Sequence, residues 1–438
     1  MSQAAKEVLR QVRDREIRFV QLWFSDLLGN LKSIEIPATK LEAALDEGIG
    51  FDGSSIHGFA RIDESDMVAM PDPATFAVLP WDHVGRLICD VLQPSGEPYT
   101  GDPRWALKRA TARSTELGWT MNVGAELEYF VFRHDGSPES VDAAGYFDLN
   151  PPDLASEMRR DMVLAIEAMG IPVEAAHHEV APSQHEIDLR HGEALRIADS
   201  LMTCRYVIKE IARRNGVHAT FMPKPLQGEN GSGMHTHQSL ATADGRNAFF
   251  DPEDPIHLSE TARHYLAGLL RHAREIIGLS AQWVNSFKRL VPGYEAPVYV
   301  TWSCRNRSNM IRIPMYQHGK EHATRIEFRA PDPACNPYLA FAAMLHAGLD
   351  GIEKRFELPE PMERDTFKMS AEERRDAGIE TLPGSLNEAI AVMESSELVR
   401  RALGDHIFEK FIENKRIEWD RYRAQVHAYE LDRYMAML

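Results

Sequence analysis

The chain has 438 residues, enough for roughly three ordinary domains, or for two if one of them is large. Its 44% hydrophobic and 26% charged residues are typical of a globular protein and exclude disordered, collagen-like and low-complexity classes. The 49 Lys and Arg against 66 Asp and Glu leave a net charge of −17, which is the wrong sign for binding nucleic acid or an anionic membrane.

Cysteine usage and the beginning of the chain predict a cytoplasmic location. The four cysteines form no CxxC pair and no zinc-type spacing, so we expect neither a disulfide framework nor a structural zinc site. Residues 1–8 carry charge where a signal peptide needs an apolar stretch. No run reaches the ~18 apolar residues of a membrane-spanning helix.

In chain order, the first elements predict a small α+β unit. Residues 4–16 have the apolar spacing of a short amphipathic helix. Residues 18–24 and 31–36 predict two strands of a hairpin around Gly29 and Asn30, a pair of residues that favours a tight turn.

A second turn-rich stretch, residues 94–103, precedes a long helical pattern. We place a domain boundary there, with a small domain at 1–103 and one large domain of interleaved strands and helices at 104–438. The most apolar segment, residues 338–349, is too short to span a membrane and predicts a core helix.

The end of the chain predicts one continuous helix from about Asp405. Trp419, Tyr422, Val426 and Tyr429 are spaced by three and four residues and would share one face of it. We favour packing of this face on its own subunit, with a tail that bridges subunits as the alternative.

Carboxylates stand out on one predicted strand of the large domain. Side chains at positions i and i+2 of a strand point to the same face, so Glu126 and Glu128 lie together inside an apolar run. Adjacent buried carboxylates repel and are costly to desolvate, which favours a bound cation. An edge strand with a solvated face explains the pair equally well.

Three further segments repeat this polar alternation. Glu179 and Glu186 flank a Pro-Ser turn, and a glycine-rich loop runs into a strand that carries His235 and His237. The fourth segment, 325–329, alternates Arg, Glu and Arg on one face. Taken singly, a Gly-x-Gly or His-x-His sequence is weak evidence, and the fourth segment could be a surface ladder of ion pairs.

Together the four segments offer five acids, one or two imidazoles and several arginines, the acids being Glu126, Glu128, Glu179, Glu186 and Glu327. Carboxylate-rich, thiol-free ligation suits Mg²⁺ or Mn²⁺. Arginines beside hard cations indicate phosphate chemistry. The sequence has neither a Walker A motif nor the loops of a protein kinase, so an ATP site must be of another kind.

These residues resemble type I glutamine synthetase, and the resemblance covers nearly the whole chain. The motifs come in the family's order and are Phe51-Asp52-Gly-Ser-Ser-Ile, Glu126-Leu-Glu128, Gly145-Tyr146-Phe147, His178-Glu179-Val-Ala-Pro, Asn230-Gly-Ser-Gly-Met-His235, Lys288-Arg-Leu-Val-Pro-Gly-Tyr-Glu295-Ala-Pro and Arg325-Ile-Glu327-Phe-Arg329. The length and the short spacing from Glu179 to Glu186 resemble the alpha subtype.

The resemblance implies an α+β fold, with a β-grasp-like N-terminal domain and a large catalytic domain built on a curved antiparallel sheet. It also implies a dodecamer of two stacked hexameric rings, with each active site shared between neighbouring subunits. The implied reaction, in nitrogen metabolism, joins ammonium to L-glutamate at the expense of ATP through γ-glutamyl phosphate, with two or more Mg²⁺ or Mn²⁺ ions as cofactors.

Carried over residue by residue, the resemblance implies these roles. Glu128, Glu179 and Glu186 would hold one metal, and Glu126, His235 and Glu327 the second. Glutamate would be bound by Asn230, Gly231, Arg289, Glu295, Arg307 and Arg329, and the nucleotide by Glu174, His237, Ser239, Arg307, Arg312 and Arg325. Asp52 of the adjacent subunit, Tyr146, Glu179 and Glu295 would bind ammonium and accept its proton, with Arg329 completing the catalytic set.

The sequence leaves open two alternative functions and one regulatory hypothesis. The chain could join glutamate to an organic amine such as a polyamine or ethanolamine, or could be an inactive ring that serves as a scaffold or regulator. Phe367 stands where related enzymes carry an adenylylated tyrosine, so we do not expect that control. Arg61 matches an arginine used for glutamine feedback, although it could simply pair with a neighbouring acid on a solvated loop.

Overall fold

The structure is a computed structural model that describes residues 1–54, 56, 66–149, 153–306 and 308–438. Arg61 and Arg307, to which the resemblance gives roles, lie outside the described residues, so the roles expected for them remain predictions.

The N-terminal part is a twisted sheet with two helices packed on it. The described elements are α1 Gln3–Asp14, β1 Phe19–Ser25, β2 Leu31–Pro37, α2 Leu41–Glu47, β3 Ile49–Asp52, β4 Asp66–Pro71, β5 Ala77–Val78 and β6 Val84–Leu92. The strand order is β2-β1-β6-β4-β3, with β5 beside β6. The predicted hairpin is confirmed: β1 and β2 pair antiparallel, and the Asp26 carboxylate closes their turn by accepting from the backbone N–H groups of Leu28 and Asn30.

The large part is built on a second sheet. Its described strands are β7 Trp119–His134, β8 Ser137–Ser140, β9 Val173–His178, β10 Gln184–Glu193, β11 His218–Thr220, β12 Thr236–Thr242, β13 Trp302–Ser303, β14 Ile311–Arg312 and β15 Ile326–Phe328. The order is β13-β14-β15-β12-β7-β10-β9, with β8 and β11 also on β7. The predicted antiparallel pairing holds for the central strands, whereas β13 and β14 at one edge run parallel.

The described helices of the large part follow in chain order. They are α3 Pro103–Glu116, α4 Ser156–Ala168, α5 Ala194–Arg214, α6 Glu260–Ser280, α7 Ser286–Arg289, α8 Pro337–Lys354, α9 Ala371–Asp376, α10 Leu386–Glu394, α11 Glu397–Leu403, α12 Asp405–Arg423 and α13 Ala428–Tyr434. The predicted core helix is confirmed as α8, most of whose residues are buried. In the described part of the chain, no helix has the length and apolar character that a membrane crossing requires.

The prediction of one continuous C-terminal helix is wrong. The chain leaves the helical path between Arg423 and Ala428 because the Glu430 carboxylate accepts from the His427 backbone N–H at 2.7 Å and starts α13 afresh. Trp419 packs against the core, but Val426 is 68% exposed and Tyr429 is 64% exposed. The expected packing on the same subunit is therefore wrong for these two side chains.

A buried ion cluster, which we call the Arg104 cluster, joins the two sheets. Arg104 opens α3 and is 2% exposed. Its guanidinium contacts Asp72 Oδ2 at 2.8 Å, Asp90 Oδ1 at 2.6 Å and Asp199 Oδ1 at 3.0 Å. Asp72 and Asp90 belong to the N-terminal part, and Asp199 lies on α5. The domain boundary at residue 103 stays a prediction, although this contact shows how closely the two parts are joined.

Candidate active site

The register of two neighbouring strands sets four acids against one another. Glu186 on β10 lies opposite Glu128 on β7, and Asp188 lies opposite Glu126. Directly opposed like charges on antiparallel strands are destabilising. The sheet therefore concentrates negative charge at one place on its surface, as the alternation of the sequence predicted for β7.

The strands on the other side of β7 bring the remaining polar groups to this place. His237 on β12 is the register partner of Glu327 on β15, and Glu327 is in turn the partner of Arg312 on β14. His235 immediately precedes β12. Residues far apart in sequence thus meet because strand pairing, rather than chain proximity, decides their neighbours.

The opposed acids line a cavity of about 560 Å³, which we call the carboxylate site. Residues with predicted roles that line it are Glu126, Glu128, Tyr146, Glu179, Glu186, Asn230, Gly231, His235, Arg289, Glu295, Arg312, Glu327 and Arg329. All six predicted metal ligands are among them. Arg312, which the resemblance assigns to the nucleotide, lies here with its guanidinium hydrogen-bonded to Glu327.

A second cavity of about 360 Å³ adjoins the first. Glu174, His237, Ser239 and Arg325, four of the residues predicted to bind the nucleotide, line it. Glu126 and Asp188 line both cavities and separate them. A ligand in the second cavity can therefore extend toward the acids of the carboxylate site.

The acids nearest β10 lack sufficient positive charge around them. Burial, with the nearby Glu179 and Glu186, raises the pKa of Glu128 well above its usual range. Burial, with Asp188 and Glu126, raises the pKa of Glu186 to about 11. Both shifts report the cost of placing negative charge here without a counter-ion.

The acids nearest β12 and β15 are compensated by bases of the chain itself. Burial alone would raise the pKa of Glu126, but contacts with His235 Nδ1 at 2.6 Å and His237 Nε2 at 2.7 Å outweigh it and lower the pKa. At Glu327, burial is outweighed by Arg329 and His235, and the pKa falls to about 2. Charge in the carboxylate site is thus unevenly balanced from one side to the other.

The glycine-rich loop is shaped by the groups packed against it. A Cβ at Gly231 would lie 2.3 Å from the Pro223 carbonyl oxygen, and one at Gly233 would lie 2.6 Å from Arg289 Nη2. The Gly233 N–H donates to Glu128 Oε2 at 2.9 Å. These glycines let the backbone approach the acid and the arginine more closely than any other residue would allow.

The donor atoms suit a hard divalent cation. Glu126, His235 and Glu327 place ligand atoms within 4.8 Å of one another, as do His177, Glu186 and Asp188. Carboxylate oxygens with a single imidazole are the ligands of Mg²⁺ and Mn²⁺ rather than of thiophilic metals. The raised pKa values beside β10 add an electrostatic reason for a cation there.

The predicted catalytic residues Glu295 and Tyr146 lie in loops beside the acids. A third, Asp52, does not line the cavity of its own chain. Glu295 has φ of 55° and lies beyond Gly293, whose φ is 96°, so the turn holds a glutamate in a conformation that side chains rarely adopt. Tyr146 lies in the loop before α4. Asp52, at the exposed end of β3, is not among the described residues that line the cavity.

Among the lining residues that have no predicted role, three lie beside the acids of the site. Asp188 separates the cavities, His177 Nε2 contacts Glu186 Oε1 at 3.0 Å, and the Gln184 amide donates to Glu128 Oε2 at 2.9 Å. Gln184 and Asp188 each lie two residues from Glu186 on the same strand, so the alternation used for Glu126 and Glu128 could have found both. His177 is brought opposite Glu186 by strand pairing, which no local pattern shows.

Both parts of the chain match known proteins. The β-grasp domain model of glutamine synthetase matches residues 16–94, and the catalytic domain model of the same family matches residues 100–434. Glutamine synthetase of Methanosarcina mazei is 51% identical over 99% of this chain and 98% of its own length. The proteins of the same name from Mycolicibacterium smegmatis and Thermus thermophilus are each 49% identical over the whole of both chains.

Solved structures agree with this. One described as "GmaS/ADP complex-Conformation 1" superposes with a TM-score of 0.89 at 33% identity, covering 98% of this chain and 99% of its own. Another, "Apo GmaS without ligand", has a TM-score of 0.88 at 32% identity and the same coverage of both chains. The predicted α+β fold with a β-grasp N-terminal domain is confirmed. Because two domain models of one family together match most of the sequence, and relatives match it from end to end, the chain belongs to the glutamine synthetase family.

Proposed function

We propose that this protein joins ammonia to L-glutamate with conversion of ATP to ADP and phosphate: the γ-carboxylate takes the γ-phosphoryl group to give γ-glutamyl phosphate, and ammonia displaces phosphate to give L-glutamine. The observation that carries the proposal is the carboxylate site itself, where opposed acids, three arginines and an adjoining second cavity meet on one sheet. The relatives named glutamine synthetase extend over the full chain, which favours this acceptor over an organic amine.

We propose that glutamate lies against Asn230, Gly231 and the arginines of the carboxylate site. Arg289 is 3% exposed, and its guanidinium is held rigidly by donation to the carbonyl oxygens of Ala330 at 2.8 Å and Arg329 at 3.0 Å. A charge fixed by backbone contacts can orient a substrate carboxylate without reorganisation during the reaction.

We propose the second cavity for ATP. Arg325 Nε donates to His237 Nδ1 at 3.1 Å, so the proton of this imidazole lies on Nε2, which donates to Glu126. The nucleotide cavity and the acids are thereby coupled through one ring. A solved relative contains ADP by its description, which supports a nucleotide site in this fold.

Glu128, Glu179 and Glu186 would hold one Mg²⁺ or Mn²⁺, and Glu126, His235 and Glu327 another. Such ions neutralise charge on phosphoryl oxygens when they are bound. The residues of the chain would position the γ-carboxylate of glutamate toward ATP, exclude water with the turn that carries Glu295, and accept the proton of ammonium at Glu179, Glu295 or the Asp52 carboxylate of a neighbouring subunit.

We infer a homo-oligomer, with a dodecamer of two rings as the specific proposal, because Asp52 is not among the described residues that line the cavity of its own chain. The exposed apolar side chains of the last elements, Tyr429, Met435 and Leu438 among them, support contact with another subunit. Light scattering after size exclusion will give the number of subunits. We also propose a division into two domains at residue 103 and a cytoplasmic location.

Product analysis is the test of the proposed function. Purified protein is incubated with glutamate, ATP and Mg²⁺ or Mn²⁺, and with ammonium, a polyamine or ethanolamine as acceptor. We expect glutamine only in the ammonium reaction, with stoichiometric phosphate. Formation of a γ-glutamyl amine without glutamine would identify an amine ligase, and an intact oligomer without any ATP turnover would identify an inactive scaffold.

A further inference from the structure

A buried ion pair lies directly behind the carboxylate site and has no part in lining it. The side chains of Asp142 and His178 are both fully buried, with Asp142 Oδ1 3.2 Å from His178 Nε2. His178 Nδ1 lies 2.7 Å from the carbonyl oxygen of Glu179, the next residue. A carbonyl oxygen and a carboxylate both accept hydrogen bonds, so the ring donates from both nitrogens, one to each partner.

The same carboxylate also holds the turn between β9 and β10. Asp142 Oδ1 accepts from the Ser183 N–H at 2.8 Å, and Ser183 Oγ accepts from the N–H groups of Val141 at 2.7 Å and Asp142 at 3.3 Å. Ser183 has φ of 63°, a conformation that favours glycine. A serine here is explained by these two hydrogen bonds, which glycine could not make.

These contacts fasten the loop that carries Tyr146 to the strand end that carries Glu179. The loop begins at Asp142, and further along it the Phe147 N–H donates to the His178 carbonyl oxygen at 3.1 Å. Tyr146 stacks on Phe147 with ring centroids 4.0 Å apart. Tyr146 and Glu179 both line the carboxylate site. The hydrogen bonds of Asp142, Ser183 and Phe147 connect the loop that carries Tyr146 with the strand end that carries Glu179.

The cluster is not itself a metal site. Asp142, His178 and His185 place possible ligand atoms within 4.8 Å of one another. His185 Nδ1, however, lies 2.9 Å from Nη1 of Arg159, a group that can only donate. The proton of His185 is therefore on Nε2, and His178 donates from both nitrogens, so neither imidazole offers a lone pair to a cation.

We propose that Asp142 is a positioning residue, which through His178 and Ser183 fixes Glu179 and the Tyr146 loop in one geometry and so sets both metal affinity and ammonium binding. The proposal rests on the proposed function of the carboxylate site. Polar groups behind metal ligands typically contribute about 10–100-fold to metal affinity or activity, and a fully buried pair offers no alternative partner from solvent.

The test is Asp142→Asn, which keeps the oxygen that Ser183 and His178 share but makes it the weaker acceptor of an uncharged amide. The matched control is Asp148→Asn, in the same loop, whose exposed carboxylate accepts from the Gly145 N–H at 2.8 Å. We expect Asp142→Asn to weaken Mn²⁺ binding and raise the KM for ammonium, each by about tenfold or more, with the KM for ATP unchanged. The control should match the wild type.

Several outcomes would overturn the proposal. Equal Mn²⁺ affinity and equal KM for ammonium in Asp142→Asn and wild type would do so, as would a lower melting temperature with both values unchanged, which indicates a purely structural role. Mn²⁺ affinity, measured by titration calorimetry or electron paramagnetic resonance, needs no turnover. If the wild type forms no glutamine, the proposed function fails while the metal titration still tests Asp142.

Ser183 provides a second variant if Asp142→Asn does not fold. Ser183→Gly relieves the positive φ but removes the acceptor for the loop, whereas Ser183→Ala removes the acceptor and keeps the strain. We expect both to weaken Mn²⁺ binding and raise the KM for ammonium, and the glycine variant to be the more stable. A glycine variant with wild-type metal affinity and KM values would refute the role of this contact.

Discussion

The Arg104 cluster and the carboxylate site are both buried groups of acids, but they differ in where their counter-charge comes from. Three aspartates surround Arg104, with Lys108 Nζ 2.5 Å from Asp90 and the Tyr338 hydroxyl donating to Asp199 at 2.7 Å. In the carboxylate site, Glu128 and Glu186 face each other across paired strands. Repulsion that the chain leaves unbalanced, as between Glu128 and Glu186, therefore indicates a cation, whereas acids paired with Arg104 need none.

This difference explains why the first cluster stabilises the fold and the second serves a ligand. The guanidinium of Arg104 is satisfied within the chain, and although burial works against its charge, the neighbouring aspartates raise its pKa. The raised pKa values of Glu128 and Glu186 instead record repulsion that the chain leaves in place. Sites retained for function commonly carry such a cost in stability.

The largest expected effect comes from breaking the balanced cluster. Arg104→Met leaves three acids without their partner in a buried place, and we expect the free energy of unfolding to fall by about 3–5 kcal/mol. Arg113→Met is the control, because the pair of Arg113 with Glu353 is exposed and worth at most about 1 kcal/mol. Urea unfolding followed by circular dichroism compares the two; equal losses would contradict the distinction.

Adding Mn²⁺ should stabilise the carboxylate site, because the ion supplies the positive charge that the chain lacks there. At about 100 times its Kd, Mn²⁺ should add about 2.7 kcal/mol to the free energy of unfolding, because it binds the native state. EDTA should reverse the effect. Glu327→Ala removes one ligand of the second ion, so it should lose part of this gain and reduce turnover by about 100-fold or more, while Glu353→Ala, an exposed control, keeps both. Near-normal turnover in Glu327→Ala would refute our assignment of the second metal.

Neutralising one acid in each cluster should have opposite consequences in the absence of metal. Asp199→Asn removes the negative charge beside Arg104 and one of the two oxygens that accept from its guanidinium, and it should lower the free energy of unfolding by about 2 kcal/mol. Glu128→Gln replaces an acid whose ionisation is opposed by burial and by Glu179 and Glu186, so stability should stay the same or rise. Thermal melts in EDTA measure both, and a loss of the same size in Glu128→Gln would contradict the assigned repulsion.

The smallest effect concerns His272, a balanced group outside both clusters. Burial lowers its pKa, but contacts with Glu275 at 2.8 Å and Asp350 at 2.9 Å outweigh burial and raise it above the usual 6.5. The stabilisation is therefore complete below about pH 6.5 and is lost as the pH rises through the folded-state value. The stability advantage of wild type over His272→Gln should shrink as the pH rises above about 6.5; an advantage that grows with pH would contradict this sign.

Patterns that depend on neighbouring residues could be recognised in the sequence. The hairpin at Gly29 and Asn30 follows from turn chemistry, and α8 follows from an apolar run. The shared face of Glu126 and Glu128 follows from the pleat of a strand. The wrong continuation of the last helix came from apolar spacing alone, since the contact of Glu430 with the His427 N–H competes with that spacing.

The sequence by itself determined the family, the types of its elements and the acids that share a face, because motifs, alternation and turn residues act over a few positions. Only the tertiary structure decided which acids oppose one another. Strand order and register place Asp188 against Glu126 and separate the two cavities, and they bring Asp142 behind Glu179 from a distant part of the sequence. Pairing between distant segments depends on the packing of the whole sheet, which no local pattern contains.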